Sequence, residues 1–372
     1  MRLRRFVHIA LGPLTAALGA LLVFGGGPKV GPHLPSQLET VESEPSYRWV
    51  SFSHAEGHLA LSDSPAGAFS PDSSQLAVAN GDKVLLQSLG GSGAASVLHP
   101  RVALVKDFEI RSASFLAPTR LLILGNGLVE TKKGMPPRTP ELAFQWDTAT
   151  DKLSGKVNSL GAKGGTGPAH YFPNIRSVGM AKGNAFDLWN PLDGRGGRVT
   201  IPPLTQPAKL YTFSPDGLWL LLAQIATSSE PNPVVVRLSE HQFVDSLAAH
   251  RGAVLSMEFS RDNKKVVTAC EDGKVRVFSV PDLTAGQAGW KLAETLEGHS
   301  GPVHRAEFSA DGKWLASGGE DRTVRVWSAD NGKLLQTLEE AREPVLSVAF
   351  SPNGRSIAAS TEKTVLIWQR QP

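Results

Sequence analysis

Short apolar segments recur along the chain from Tyr47 onward, and turn-forming residues separate them. Several segments end in the same way, with Phe-Ser followed by a Pro/Asp/Gly turn, as at Phe69, Phe213 and Phe308. Proline presets φ at the first turn position, aspartate caps the turn, and glycine adopts the left-handed conformation. Helical periodicity is almost absent from this part of the chain. The pattern therefore predicts an all-β fold of short strands joined by tight hairpins.

The Phe-Ser phrase is an internal repeat. Its strong copies begin at Phe69, Phe213, Phe259, Phe308 and Phe350, and weaker copies begin at Phe115 and Phe172. Further strand-like runs follow each copy, and after Phe308 they are Trp314–Gly318, Thr323–Trp327 and Lys333–Leu338. Four short strands in a unit of roughly 40–50 residues is the period of a β-propeller blade. Seven copies predict seven four-stranded blades.

The two ends of the repeat array predict that the ring is closed. The last unit has only three strand-like runs, Val345–Phe350, Ser356–Ser360 and Thr364–Gln369. At the other end, Tyr47–Phe52 is a strand without a unit of its own. An unpaired edge strand and an incomplete blade are both liabilities, and pairing them removes both. We therefore expect a closed seven-bladed β-propeller in which the N-terminal strand completes the last blade.

The N-terminal residues predict an apolar helix that precedes the propeller. Met1–Arg5 is basic, and Phe6–Phe24 contains no formal charge. A helix of this length approaches the thickness of a bilayer core, roughly 30 Å, and exceeds the usual signal-peptide core of roughly 7–15 residues. Both lengths favour a signal anchor. Val23–Gly25 nevertheless offers a small-residue cleavage context, so a cleaved signal peptide stays open, as do a transit peptide and a misassigned start.

Three segments are therefore predicted: a signal anchor or signal peptide at residues 1–25, a Gly/Pro-rich tether at 26–46, and the propeller at 47–372. Arg2, Arg4 and Arg5 precede the apolar run, and basic residues remain on the cytoplasmic side of a membrane. The propeller is therefore expected outside the cytoplasm. It would be membrane-anchored through the N-terminal segment, or secreted or periplasmic if that segment is cleaved.

Charge and cysteine content narrow the function classes. The chain has 38 Lys and Arg against 35 Asp and Glu, a net charge of +3. Arg2, Arg4 and Arg5 account for that excess, so the charges of the rest of the chain sum to zero and offer phosphate backbones no net attraction. Nucleic acid is therefore not an expected partner. Cys270 is the one cysteine, which excludes an internal disulfide framework and a multi-thiol metal or redox site.

The sixth unit resembles a blade of the WD-repeat (Trp-Asp repeat) β-propeller family. The resemblance rests on Gly298-His299, the Phe308 turn, Ser317-Gly318, Asp321 and Trp327. It implies a structural hydrogen-bonded chain formed by His299, Ser317, Asp321 and Trp327. A looser match in the fifth unit implies the corresponding set His250, Thr268 and Asp272, shortened because Phe278 has no indole N–H. The seventh unit keeps only Trp368, with Ala358 and Glu362 in place of the serine and aspartate.

Three sequence patterns suggest chemistry but are better explained structurally. The His, Ser and Asp of unit six resemble a hydrolase triad, but Pro302 stands where a nucleophile elbow needs its last glycine. His54 and His58 have metal-like spacing, but Gly57 and the adjoining strand place them in a loop rather than on a helix face. Gly161–Gly167 lacks the Gly-Lys-Ser/Thr of a phosphate loop, which favours a linker. No metal or cofactor is predicted.

Two function classes remain open. A propeller enzyme or small-ligand binder, lactonase-like or quinoprotein-like, needs acids, histidines or arginines that converge from the innermost strands at the channel mouth. The innermost strands here are mostly apolar or small, with His304 and Arg305 as the main polar exceptions. The sequence therefore favours a non-catalytic interaction scaffold, a monomeric propeller that binds a protein or peptide partner on its rim.

The family resemblance also implies which rim positions are exposed to a partner. They lie early on each innermost strand and just before the turn aspartate. The candidate partner-binding residues are Leu255, Glu271, His304, Glu320 and Leu346. Glu271 and Glu320 would alternatively be solvated turn residues. Two enlarged loops on the same rim, Asn126–Pro140 and Ala226–Pro233, are either functional or neutral insertions.

Overall fold

A computed structural model gives the fold. It describes residues 48–56, 68–90, 95–103, 105–129, 139–160, 169–182, 185–203, 208–224, 232–283 and 289–371. The predicted anchor Phe6–Phe24, the tether, His58 and Gly161–Gly167 all lie outside these residues. In the part of the chain that is described, no helix has both the length and the apolar character needed to cross a membrane.

The described residues form seven antiparallel sheets, which are the blades. Blade one contains β2 (Gln75–Asn80), β3 (Lys83–Ser88) and β4 (Ser96–Leu98). Blade two contains β5 (Val105–Ala117), β6 (Arg120–Val129), β7 (Glu141–Asp147) and β8 (Lys152–Leu160). Blade three contains β9 (His170–Phe172), β10 (Ser177–Lys182), β11 (Ala185–Trp189) and β12 (Gly196–Thr200), with a 3-10 turn at Pro173–Ile175.

The remaining four blades complete the propeller. Blade four contains β13 (Ala208–Phe213), β14 (Trp219–Gln224), β15 (Val234–Arg237) and β16 (Gln242–Ser246). Blade five contains β17 (Val254–Phe259), β18 (Lys265–Cys270), β19 (Val275–Ser279) and β20 (Lys291–Leu296). Blade six contains β21 (Val303–Phe308), β22 (Trp314–Gly319), β23 (Val324–Ser328) and β24 (Leu334–Leu338). Blade seven contains β25 (Ser347–Phe350), β26 (Ser356–Ser360), β27 (Thr364–Gln371) and β1 (Arg48–Glu56).

The repeated phenylalanine marks the innermost strand of each blade. It lies at or near the end of β5, β9, β13, β17, β21 and β25, immediately before the hairpin to the second strand. In blade one, Phe69 forms an isolated bridge to Leu76 in place of a full described strand. The seven-bladed, all-β prediction with four-stranded blades is therefore confirmed.

The core lies between neighbouring blades. In blade six, Ala306 and Phe308 of the innermost strand pack against Val267 and Val277 of blade five. Val348 and Phe350 of blade seven pack in the same way against blade six. Because each face of a blade is covered by the next blade, the strands are apolar on both sides, and this explains their continuous apolar runs.

The N-terminal strand pairs with the last blade, as the three-strand remainder predicts. The sheet order is β1-β27-β26-β25, with Arg48 opposite Gln371 and Glu56 opposite Thr364. Trp49 is 5% exposed, and its ring lies edge-on to Phe350 at 5.8 Å. The Gln336 amide on β24 bonds both Trp49 backbone groups at 2.8 Å, so β1 contacts blades six and seven.

The propeller has two rims, which we call upper and lower. The upper rim carries the loops that precede the innermost strands and the turns that join second to third strands. The lower rim carries the Phe-Ser turns and the turns that join third to fourth strands. Since Arg48 pairs with Gln371 and Glu56 with Thr364, β1 enters at the lower rim and runs to the upper one.

One of the two enlarged loops is shorter than predicted. Asn126–Val129 continues β6 and pairs with the long β5, although Asn-Gly is typical of a hairpin turn. The two nearby glycines let Phe108 lie against this strand. A Cβ atom on Gly125 would lie 2.7 Å from the Phe108 ring and one on Gly127 would lie 3.1 Å from it. Residues 130–138 and 225–231 lie outside the described part of the chain.

Candidate functional site

Blade six contains a continuous hydrogen-bonded chain that links its second and third strands to its entry loop. The Trp327 indole Nε1–H donates to Ser317 Oγ at 2.9 Å, and Ser317 Oγ lies 2.8 Å from His299 Nε2. His299 Nδ1 lies 2.9 Å from both carboxylate oxygens of Asp321. The four residues expected from the sequence are brought together.

The bonds fix the tautomer of His299. Because the Asp321 carboxylate accepts, Nδ1 carries the proton, and Nε2 accepts the hydrogen of Ser317. Burial lowers the pKa of His299 although Asp321 opposes that shift. Burial alone would raise the pKa of Asp321, but hydrogen bonds from His299, the Ser300 N–H and Thr323 hold it below its usual range. The site therefore holds a neutral imidazole beside an ionised carboxylate at neutral pH.

Blade five has the same residue pattern but a different network. His250 Nε2 lies 2.8 Å from Thr268 Oγ1, as expected, but its Nδ1 lies 2.9 Å from the Leu247 carbonyl oxygen. The prediction that Asp272 joins this chain is therefore wrong in one respect, because Asp272 does not bond His250. It pairs with Arg276 at 2.7 Å and accepts the Arg251 N–H at 3.1 Å.

The electrostatics of blade five follow from this rearrangement. Burial, together with the nearby Arg276 guanidinium, lowers the pKa of His250 to about 4. The pKa of Asp272 is lowered to about 2, because the Arg276 and Arg251 hydrogen bonds outweigh the opposing effect of burial. The Arg276 side chain is only 4% exposed, so this ion pair is buried. The Phe278 ring stacks on His250 with 5.8 Å between centroids.

In blade seven, Trp368 uses a partner that the sequence pattern does not reveal. Its indole Nε1–H donates to Glu340 Oε2 at 3.0 Å. Glu340 lies in the loop that precedes the innermost strand, and Ala358 takes the serine position. A glutamate therefore takes the place of the blade-six serine as the acceptor for the indole N–H.

The five predicted rim residues all lie on the upper rim of blades five to seven. His304 Nε2 and Glu320 Oε2 are 2.9 Å apart, and their side chains are 25% and 51% exposed. Glu271 is exposed and accepts the Ala253 N–H at 3.1 Å. Leu255 and Leu346 are half-buried. We call these five residues the upper-rim surface.

Backbone contacts hold the upper-rim surface together across the three blades. A Cβ atom on Gly273 of blade five would lie 3.1 Å from the Gly301 carbonyl oxygen of blade six. The Val345 N–H of blade seven donates to the Gly319 carbonyl oxygen of blade six at 3.0 Å. The loops that carry the predicted residues therefore belong to one rigid, continuous face.

A buried charge cluster between the innermost strands was missed by sequence reasoning. Glu258 on β17 and Glu307 on β21 accompany Arg305, so the innermost strands are less apolar than expected. Arg305 lies 3.6 Å from Glu258 Oε2, and Glu307 Oε1 accepts the Phe350 N–H at 3.2 Å. Glu307 is 1% exposed, and neither Glu258 Oε2 nor Glu307 Oε2 has a described hydrogen-bond partner.

The cluster holds two carboxylates but only one close cation. Burial raises the pKa of Glu258 to about 7, although Arg305 and Arg261 oppose the shift. Burial and the neighbouring Glu258 raise the pKa of Glu307 well above its ordinary value. The sequence signal is an alternation of polar and apolar residues, which places Ser256 with Glu258 on one face of β17 and Arg305 with Glu307 on one face of β21.

Three segments of the chain match the family model described as WD domain, G-beta repeat, at residues 241–279, 290–328 and 332–369. Each segment begins on or just before the outer strand of one blade and ends on the third strand of the next. These three segments are WD repeats. The WD-repeat resemblance drawn from blades five and six is therefore confirmed.

A solved structure shows the same fold over the whole propeller. The beta-propeller domain of Cps50 (Swd1) from Myceliophteria thermophila is 16% identical, with a TM-score of 0.62. The alignment covers 87% of this chain and 99% of that domain. At this identity the similarity concerns the fold alone. No curated protein matched the chain.

Proposed function

We propose that this WD-repeat protein is a non-catalytic interaction scaffold that binds a protein or peptide partner through the upper-rim surface. WD-repeat propellers typically act as interaction scaffolds. The observation that carries the proposal is the continuity of the exposed Glu271, the His304–Glu320 pair and the half-buried Leu255 and Leu346 over three blades. A rigid surface with aliphatic anchors and a polar surround is the usual composition of a protein-binding patch.

The histidine, serine and aspartate of blade six support structure rather than catalysis. Ser317 is fully buried, and its hydroxyl oxygen already accepts the Trp327 N–H, so a substrate carbonyl has no access to it. A nucleophile must reach its substrate before its pKa matters. These three groups are therefore committed to the hydrogen-bonded chain.

Affinity capture tests the upper-rim surface. Full-length protein is used to capture partners from the membrane fraction of the source cells, and the double variant Glu320→Lys with Leu346→Ala is compared with it. Glu240→Lys with Leu218→Ala is the matched control, because these exposed residues lie on the lower rim of blade four. We expect the first pair to weaken capture and the control to retain it. Loss of capture in the control alone would place the interface on the other rim.

We also propose that β1 closes the ring. Its pairing with β27 and the double amide bond from Gln336 support this, and the Gln369 amide donates to the Leu89 carbonyl oxygen of blade one at 2.7 Å. Deleting residues 1–56 should abolish a cooperative melting transition, whereas deleting residues 1–40 should leave it intact. Identical melting of the two truncations would contradict closure by this strand.

We further propose that the propeller lies outside the cytoplasm, tethered or released by its N-terminal segment. Arg2, Arg4 and Arg5 precede the uncharged run Phe6–Phe24, and this orientation retains the N-terminus in the cytoplasm. An alkaline phosphatase fused after Pro45 should be active, since it needs an extracytoplasmic location. A fully inactive fusion that is nevertheless expressed would contradict this topology.

A further inference from the structure

The lower rim of blades five to seven carries a repeated positive charge. The last position of the Phe-Ser turn is basic and exposed in these three successive blades, as Lys264, Lys313 and Arg355. The same position holds Ser74 in blade one, the half-buried Arg120 in blade two, Ser177 in blade three and Leu218 in blade four. An exposed basic residue at this position is therefore confined to blades five to seven.

Two further cations join this group around Trp314. The Arg370 guanidinium carbon lies 4.7 Å from the centroid of the half-buried Trp314 ring, and the Arg370 N–H donates to the Arg355 carbonyl oxygen at 2.9 Å. Arg48 is exposed and begins β1, opposite Gln371. We call these five basic residues the cationic patch: Arg48, Lys264, Lys313, Arg355 and Arg370.

The carboxylates Asp262, Asp311 and Asp330 offset only part of the five positive charges of the cationic patch, and Asp330 pairs with Lys265, outside the patch, at 3.3 Å. Asp262 and Asp311 each accept the hydroxyl of the turn serine at 2.7 Å and a backbone N–H at 3.1 Å. Blade seven has the neutral Asn353 at that position, beside Arg355. Within the described residues, no carboxylate lies at ion-pair distance from Lys313 or Arg355. Positive charge therefore accumulates where blades six and seven meet.

The chain enters the propeller at the same place. Arg48 is the first described residue, and β1 begins there on the lower rim. Basic clusters next to an anchoring segment are attracted to anionic lipids, and tryptophan favours the interfacial region of a bilayer. Charge, the Trp314 ring and the point of chain entry all lie on one face.

We propose that the cationic patch rests on an anionic phospholipid surface, with the lower rim toward the bilayer and the upper-rim surface away from it. The biological setting of this inference rests on the proposed N-terminal attachment. The attraction between the cationic patch and anionic lipid does not depend on that attachment, because all five basic residues belong to the propeller. An anionic surface would orient the tethered propeller and leave the opposite rim free for a protein partner.

Vesicle partitioning of the full-length chain tests the inference. The partition coefficient is measured for vesicles of phosphatidylcholine alone and of phosphatidylcholine mixed with phosphatidylglycerol, and their ratio gives the preference for anionic lipid. Every variant keeps the same N-terminal segment, so its contribution cancels. The test variant is Lys313→Gln with Arg355→Gln. The control is Arg251→Gln with Arg342→Gln, which removes two exposed cations from the upper rim.

Each cation near an anionic surface contributes about fivefold to partitioning, so the test variant should lose about 25-fold of its anionic preference at low salt. The control should change less than twofold, and both should melt like the wild type. The inference is overturned if both variants lose the anionic preference equally, or if neither variant loses it. Binding to duplex DNA is measured as well. If the test variant loses DNA binding but keeps its preference for anionic lipid, the inference is overturned in favour of nucleic acid. The capture experiment changes upper-rim residues and the lipid experiment changes lower-rim residues. Failure to capture a partner would therefore not affect the result for lipid binding.

Discussion

Blades five and six have nearly the same sequence pattern, yet their polar cores differ. In blade six, Asp321 bonds His299, and the chain runs unbroken to the Trp327 indole. In blade five, the corresponding Asp272 bonds Arg276 instead, while His250 turns to a backbone carbonyl. Both blades keep the same strand register between first and second strands.

The contrast shows that the repeat pattern specifies the strand register more strictly than it specifies the side-chain hydrogen bonds. Both blades carry an arginine four residues after the aspartate. Arg276 lies 2.7 Å from Asp272, but Arg325 lies 3.9 Å from Asp321. In blade six, Thr323 also donates to Asp321, at 2.9 Å, whereas blade five has Lys274 at that position. The two blades therefore differ both in the residue two positions after the aspartate and in the partner that the aspartate bonds.

The largest effect is expected from Asp272→Ala. It leaves the buried Arg276 guanidinium without its carboxylate, which should lower the free energy of unfolding by roughly 3–5 kcal/mol. Adding Arg276→Leu should recover most of that loss, because the stranded charge is removed. Urea denaturation of the single and double variants measures both effects. No recovery in the double variant would show that Asp272 acts through other contacts.

Asp321→Ala should lower the free energy of unfolding by less than Asp272→Ala does. Removing the neighbouring arginine should not restore that stability. The Asp321→Ala substitution leaves the His299 Nδ1–H and the Ser300 N–H unpaired, at a cost of roughly 1–3 kcal/mol. Adding Arg325→Leu should give no recovery, since that arginine is 3.9 Å away and partly exposed. The same urea titrations provide the measurement. Recovery equal to that in blade five would mean that the two networks are equivalent.

Glu307→Gln should stabilise the protein at high pH, by on the order of 1–2 kcal/mol, since it removes a buried carboxylate that lacks a full set of partners. The folded-state pKa of Glu307 is raised, so its contribution to stability is present at acid pH and lost as pH rises toward that pKa. The advantage of the variant should therefore shrink between pH 8 and pH 5. An advantage that grows on acidification would contradict the assignment. Glu294→Gln, on an outer strand, is the control.

The smallest effect is expected from Trp327→Phe, which makes blade six resemble blade five. It removes the indole donor to Ser317 while retaining an aromatic ring in the core, and should cost about 1 kcal/mol. Thermal melting at neutral pH measures it. Trp368→Phe, which removes the donor to Glu340, should cost a similar amount. A loss several times larger in Trp327→Phe alone would indicate that the ring volume, not the hydrogen bond, dominates.

The sequence predicts the architecture well because the period of the repeat is a property of backbone and turn chemistry. Strand bounds such as Trp314–Gly319 and Ser356–Ser360 agree with the apolar runs to within a residue. The partner strand for the last blade follows from counting strands, since an unpaired edge has to be covered. None of these inferences requires knowledge of side-chain contacts.

Side-chain partners that lie far apart in sequence could not be predicted in this way. In blade seven, Glu340 accepts the indole hydrogen bond in the absence of the serine and histidine. The Gln336 side chain of blade six bonds the Trp49 backbone. The pairing of Arg305 with Glu258 crosses from one blade to the next. Each contact depends on three-dimensional proximity between repeats, which the pattern within one repeat does not encode.

The central claim is that the inward residues of the upper rim hold the fold while the outward residues bind a partner. Glu320 and Asp321 are adjacent in sequence, but the Glu320 side chain is 51% exposed and that of Asp321 only 6%. The most direct measurement is a paired one, of melting temperature and of partner captured per folded molecule, for Glu320→Lys and Asp321→Ala. We expect Glu320→Lys to lose capture at an unchanged melting temperature, and Asp321→Ala to melt lower while its folded fraction still captures the partner. The reverse result, or loss of both properties in both variants, would contradict the account.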